Sequence, residues 1–241
     1  LRGVDPRLPF AIAGITLLLV TLALSRVERG LVQMSPRTTP TLPAQDKPLS
    51  RAPLLFIVGM VILALGFQLH ASINSVPLFR RFATSADLQW LLPVFWIGFN
   101  IAMFPAGAVV KRLGGIVVLG AAALIGAAAI VAAELTPNLQ ILIAAQFVAG
   151  AAWGCMMMSA VTAAMAIGET GAEGKVVGLV FSALALATFT RLAAVAGGLP
   201  GIPDYAALLA WLPVICWTIA GAILLMLATA RWQRGSAASA A

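Results

Sequence analysis

Polar side chains are rare in this chain, and several stand inside long apolar runs. His70, the only histidine, shares such a run with Asn74; Trp96 and Asn100 share a second, Gln146 and Trp153 a third, Thr188 and Arg191 a fourth. A polar group inside an apolar helix is costly unless it is paired, so each is a candidate substrate-binding residue until a structural role is found. Phe67, His70 and Asn74 fall on one face at helical spacing, as do Trp96, Asn100 and Met103, and again Gln146, Gly150, Trp153 and Met157. Amides so placed either hydrogen-bond across helices or present themselves to a ligand in a central cavity. His70 is either hydrogen-bonded packing or a proton carrier near neutral pH. Arg191 is the most informative residue, because a guanidinium keeps its charge and must find a partner or water. Three solutions are open to it: snorkelling towards Leu199, about 12 Å along the helix; pairing with Glu134; or holding an anionic substrate group.

Other chemistries find less support. Cys155-Met156-Met157-Met158 offers soft ligands of the kind that select Cu(I), but consecutive residues point about 100° apart around a helix and cannot converge on one ion. Cys155 and Cys216 both lie within apolar stretches and are read as buried thiols, and neither a metal site nor a cofactor is expected. Retinal attachment would need a lysine in the last apolar run, which has none, and no Gly-x-Ser-Gly of an intramembrane protease and no ATP-binding loop is present. An enzyme is not expected.

The elements that must position these residues follow from composition. Of 241 residues, 61% are hydrophobic and 10% charged, with a mean hydropathy of +1.02, whereas soluble domains carry roughly 25% charged residues. Crossing the bilayer core takes about 17–25 apolar residues as a helix. Seven runs qualify: Leu8–Leu24, Pro53–Val76, Leu88–Val110, Ile116–Ala133, Leu139–Ile167, Val176–Leu199 and Tyr205–Ala230. They are too long and too little alternating for barrel strands. The expected fold class is an all-α integral membrane protein with seven transmembrane helices. Residues 1–25 hold one helix, 26–52 a Pro-rich linker, 53–230 a six-helix bundle and 231–241 a tail. Gly120, Ala123 and Gly126, then Gly150 and Gly154, then Gly197 and Gly198 either permit close helix packing or mark bending points.

The net charge of +7 does not form a nucleic-acid footprint, since the cations sit in small groups between apolar runs. Arg26, Arg29, Arg37, Lys47, Arg51, Lys111, Arg112, Lys175, Arg231 and Arg234 fall on one side of the threading, and Arg2, Arg7, Arg80 and Arg81 on the other. The richer side is expected to be cytoplasmic, with the C-terminus inside.

The turn Gly107-Ala-Val-Val-Lys111-Arg112-Leu-Gly114-Gly115 resembles the Gly-x-x-x-Asp-Arg-x-Gly-Arg cytoplasmic turn of the major facilitator superfamily. Gly107, Arg112 and Gly114 match, whereas Lys111 replaces Asp and Gly115 replaces Arg, as in the weaker second copy that the family carries between its eighth and ninth helices. Arg7-Leu-Pro9-Phe10 resembles the start of the family's sixth helix, and the polar linker its central loop. The resemblance implies helices six to twelve of a secondary transporter in the bacterial inner membrane. Such a carrier works by alternating access, binding a small-molecule substrate and a coupling proton against an N-terminal half missing from this chain. It also implies a cytoplasmic gate at Gly107, Lys111, Arg112 and Gly114, with Glu169 and Glu173 the obvious carboxylate partners. The opening at Leu1 without methionine fits a fragment. Arg191 and the lack of a mid-membrane carboxylate tilt towards anionic or neutral solutes. A non-transporting assembly or scaffold protein with the same fold is the alternative.

Overall fold

The computed structural model describes residues 15–26 apart from 17 and 24, 51–168 and 172–239, with the backbone alone described for 231–239. Residues 1–45 and 46–241 are two separate units. In the first, described residues from 15 to 26 are helical, within or beside the expected run Leu8–Leu24. The start of that run and linker residues 27–50 lie outside the described residues.

In the second unit six helices are long and apolar enough to cross a membrane, and no strand occurs among the described residues. Helix α1 (Arg51–Phe67) passes through a π-helical turn (Gln68–Asn74) into α2 (Ser75–Arg80), making one 30-residue span. The second span joins the short α3 (Leu88–Leu91) to α4 (Pro93–Leu113). The others are α5 (Gly115–Leu135), α6 (Leu139–Ile167), α7 (Glu173–Ala196) and α8 (Pro203–Ser239). The helical backbone of α8 runs on from the apolar part ending at Ala230 through residues 231–239, which hold no proline.

Local chemistry sets the turns. Gly114 has φ +83° and is the single residue between α4 and α5, a conformation that glycine adopts without steric penalty. Asn138 Oδ1 accepts from Ile141 N at 3.0 Å and caps α6. Before α3, Thr84 N and Oγ1 donate to Asp87 Oδ2 at 2.9 and 2.6 Å, which holds this exposed carboxyl below its usual pKa. The ionised form is the one the loop favours, so that contribution is present at neutral pH and is lost as pH falls through the folded pKa.

Helix α1 packs on α7 and α8, α8 on α5, α5 on α6 and α6 on α7, so five helices close around one core while α4 lies against α6. The interior mixes large side chains such as Phe56, Leu63, Met156 and Leu224 with many alanines, among them Ala122, Ala123, Ala149 and Ala160. Large apolar side chains also cover the outside, with Phe104 88% and Met226 71% exposed. A water-soluble domain would not tolerate that surface; lipid solvates it, and leaves close backbone approach as the attraction between helices.

Glycines mark where the backbones meet. A Cβ on Gly98 would collide with Phe147 O, one on Gly150 with Phe95 O and one on Gly154 with Phe99 O, which locks α4 onto α6. Gly66 and Gly126 leave room for the ring of Trp217, which is fully buried and donates from Nε1 to Leu63 O at 3.1 Å. Replacing Gly150 with alanine should lower stability by at least the roughly 1–3 kcal/mol typical of overpacking, because main chain must move. Gly107→Ala, where a Cβ meets open space, should instead be neutral or stabilising by up to about 1 kcal/mol. Thermal midpoints of both variants in detergent check the contrast.

Candidate functional site

Polar residues of the first span gather at its π-helical turn. Both the backbone N–H and the hydroxyl of Ser75 reach back to His70 O, the hydroxyl at 2.9 Å, so the turn closes five residues apart instead of four. The wider turn serves three neighbouring helices. His70 Nε2–H donates to Gln146 Oε1 on α6 at 3.1 Å, Asn74 Nδ2 to Leu209 O on α8 at 2.7 Å, and Gln68 Nε2 to Thr188 Oγ1 on α7 at 2.8 Å. Thr188 passes its own proton to Leu184 O at 2.9 Å. His70 lies about five residues past the middle of the span, roughly 7 Å from mid-helix and within the half that ends at Arg80.

His70 and Gln146 are fully buried, and each has one polar atom with no partner among the described residues. Donation from Nε2 leaves His70 Nδ1 with a bare lone pair, and the Gln146 amide nitrogen keeps its N–H groups unused. An acceptor and a donor, both unsatisfied and on bonded partners, make this the most polar point of the core. Against it stands an aromatic stack: Phe67 lies on Trp153 at 4.2 Å and 4°, and Trp153 faces Trp217 at 6.2 Å and 10°. Phe95 borders both His70 and Phe67, at 6.2 and 6.0 Å between ring centres.

The other sequence candidates are spread out. Trp96 is edge-on to Phe67 at 6.0 Å but half exposed. Asn100 is exposed, and among the described residues its amide donates to Trp96 O of its own helix at 2.7 Å and to no other group. Arg191 is partly buried, with Nε enclosed and unpartnered among the described residues. Its pairing with Glu134 is not formed. Glu134 lies 3.9 Å from Arg81 Nη1, and Arg81 also donates to Glu134 O at 2.9 Å and Thr136 O at 3.5 Å. The reason is local: Arg81 stands beside the C-terminal end of α5, where free carbonyls and the helix dipole draw a cation. Sequence reasoning did not find this pair because it joins two turns far apart in sequence, although Arg80, Arg81 and Glu134 falling on the same side of the threading was a usable signal.

At the other end of the bundle Lys111 and Arg112 are exposed in the last turn of α4, Gly114 supplies the positive φ, and Glu173 begins α7. Gly107 fills no close contact, and Glu169 lies outside the described residues. Cys155 and Cys216 are half-buried, short of the full burial expected, because both lie on helix faces turned partly outwards. Among the described residues no three His, Cys, Asp or Glu side chains could hold a metal ion.

Gln146→Leu should cost about 1–3 kcal/mol by stranding the His70 N–H, whereas His70→Phe combined with Gln146→Leu should recover most of that loss. Denaturation of the single and double variants in detergent measures the coupling; additive losses would mean that the two groups do not act as a pair.

No protein-family model matches the chain, and neither the curated proteins nor the solved structures yield a match.

Proposed function

We propose that the chain forms the C-terminal half of a secondary active transporter of the major facilitator type. In this reading it sits in the bacterial inner membrane with its C-terminus in the cytoplasm, and moves a small solute by alternating access. The observation that carries the proposal is Asn100. Its amide projects from the surface among exposed Trp96, Ile97, Ile101 and Phe104, and among the described residues it is bonded to its own helix alone, leaving most of a strongly polar group without a partner. A hydrocarbon surface penalises such a group, and a water-filled cavity between two bundles removes the penalty. The π-helical turn supports the same reading, since such turns concentrate at functional sites, and here it arranges polar contacts to three helices.

Within this reading the substrate-facing candidates are Asn100, Trp96, Thr188 and Arg191, with Asn74, Gln146 and Trp153 behind them. His70 Nδ1 is the atom that would take up a coupling proton when the bundle opens. Lys111 and Arg112 act at the cytoplasmic closure with Glu169 and Glu173. The rival is an assembly or scaffold protein, in which the Asn100 face is covered by another protein's helix.

Water at Asn100 separates the two. Asn100→Cys, in a full-length background carrying Cys155→Ser and Cys216→Ser, should react with a charged thiosulfonate reagent in membranes about as fast as an exposed loop thiol, because the aqueous thiolate is the reactive species. Reaction orders of magnitude slower would place the residue against lipid or protein and end the transporter proposal. Sidedness is checked in the same way: Thr38→Cys and Ser236→Cys should label only after cells are permeabilised, and Thr84→Cys in intact cells.

A further inference from the structure

The geometry points to a second binding site, for a small zwitterion, at the end of the bundle opposite Lys111 and Arg112. A cleft of about 300 Å³ opens where the π-helical turn, the end of α5 and the start of α8 meet. Its charged groups are Arg81 and Glu134, and Ile73, Ala206 and Leu209 form apolar walls. That volume is at the lower end of the roughly 300–1,000 Å³ usual for small-molecule sites, and suits a solute the size of an amino acid.

The pair lining the cleft is incompletely used. The Glu134 side chain is 11% exposed, and its closest cationic nitrogen stands at 3.9 Å, beyond hydrogen-bond length. Arg81 spends its bonds on main-chain oxygens, Glu134 O and Thr136 O, in place of the carboxylate. A carboxylate this enclosed normally accepts several charge-assisted bonds. The guanidinium, with five N–H donors, keeps capacity to spare.

A ligand with one ammonium and one carboxylate answers both groups. Its ammonium would give Glu134 the short bonds that Arg81 does not, and its carboxylate would meet the free N–H groups of Arg81. A simple amine would leave Arg81 facing a second cation, and a simple acid would face Glu134. The net charge of the pair is zero, so a neutral zwitterion enters without leaving a charge unbalanced in a site of low dielectric. The apolar walls fit an aliphatic body. The site stands on this cleft alone: equilibrium binding there needs no transport, so it survives or fails separately from the carrier proposal.

The test uses the purified full-length chain in lipid nanodiscs, with leucine as zwitterion, isoamylamine as its amine and 4-methylpentanoate as its acid. Leucine should bind saturably, and the other two about tenfold or more weakly. Glu134→Gln, nearly isosteric, should weaken leucine by about tenfold or more. Ala206→Phe fills the cleft while keeping both charged residues and should abolish binding, which guards against a Glu134 variant that fails to fold. Absence of saturable leucine binding to the wild-type chain, equal binding of the amine, or unchanged affinity in Ala206→Phe would each overturn the site.

Discussion

Inside a bilayer no water is at hand to satisfy a peptide group, so each of the six spans must close its own backbone hydrogen bonds before it meets a neighbour. That constraint sets the rest of the structure. With backbone polarity satisfied internally and lipid as apolar as the side chains, hydrophobicity alone does not draw the helices together, and they attract one another through packing that is closest at small residues. Gly98 against Phe147, Gly150 against Phe95 and Gly154 against Phe99 are its outcome between α4 and α6. The ring of Trp217 depends on the same rule, since Gly66 and Gly126 leave it room on either side.

Hydropathy made the spans legible because it is a local property. The run Leu139–Ile167 coincides with α6, and the other expected runs of the second unit agree with the apolar helical spans within four residues at each end. What hydropathy does not encode is the closing distance of a helical turn. Phe67, His70 and Asn74 were placed on one face by α-helical spacing, and all three are buried, yet His70 and Asn74 bond to different helices because the turn between them is π-helical. The signal, a cluster of Gln68, His70, Ser72, Asn74 and Ser75 in one apolar run, says that polar business is done there without saying by what geometry. Pairings between distant turns were legible only as a choice among partners on one side. Arg191 and Glu134 matched in charge and side, and the nearer claim of Arg81 on the end of α5 decided the matter.

Polarity is also distributed unevenly along the bundle axis. Near Arg51 the contacts are apolar, as where Leu224 covers Gly59. Past Trp217 they become directional: His70 to Gln146, Gln68 to Thr188, Asn74 to Leu209, and finally Arg81 to the end of α5. An apolar contact such as Leu224 on Gly59 can shift without stranding a polar group, whereas each buried hydrogen bond that opens strands a donor and an acceptor. The α1–α2 span is thus anchored at one half and free to shift at the other, with the π-helical turn at the boundary.

This asymmetry bears on how the fully buried His70 could exchange a proton in the proposed carrier. Its partner Gln146 belongs to α6, whose Gly150 and Gly154 are held fast against α4, so α6 and α4 move together. The first span is tied to α7 through Gln68 and to α8 through both Asn74 and Leu63, whose carbonyl accepts from Trp217. In the proposed carrier the first span then moves with α7 and α8 and parts from the α4–α6 pair along a seam that runs between His70 and Gln146 and through the Phe67–Trp153 stack. A group with a bare lone pair placed on the seam is uncovered by the same motion that breaks its one hydrogen bond, which couples its exposure to water to the rearrangement of the bundle.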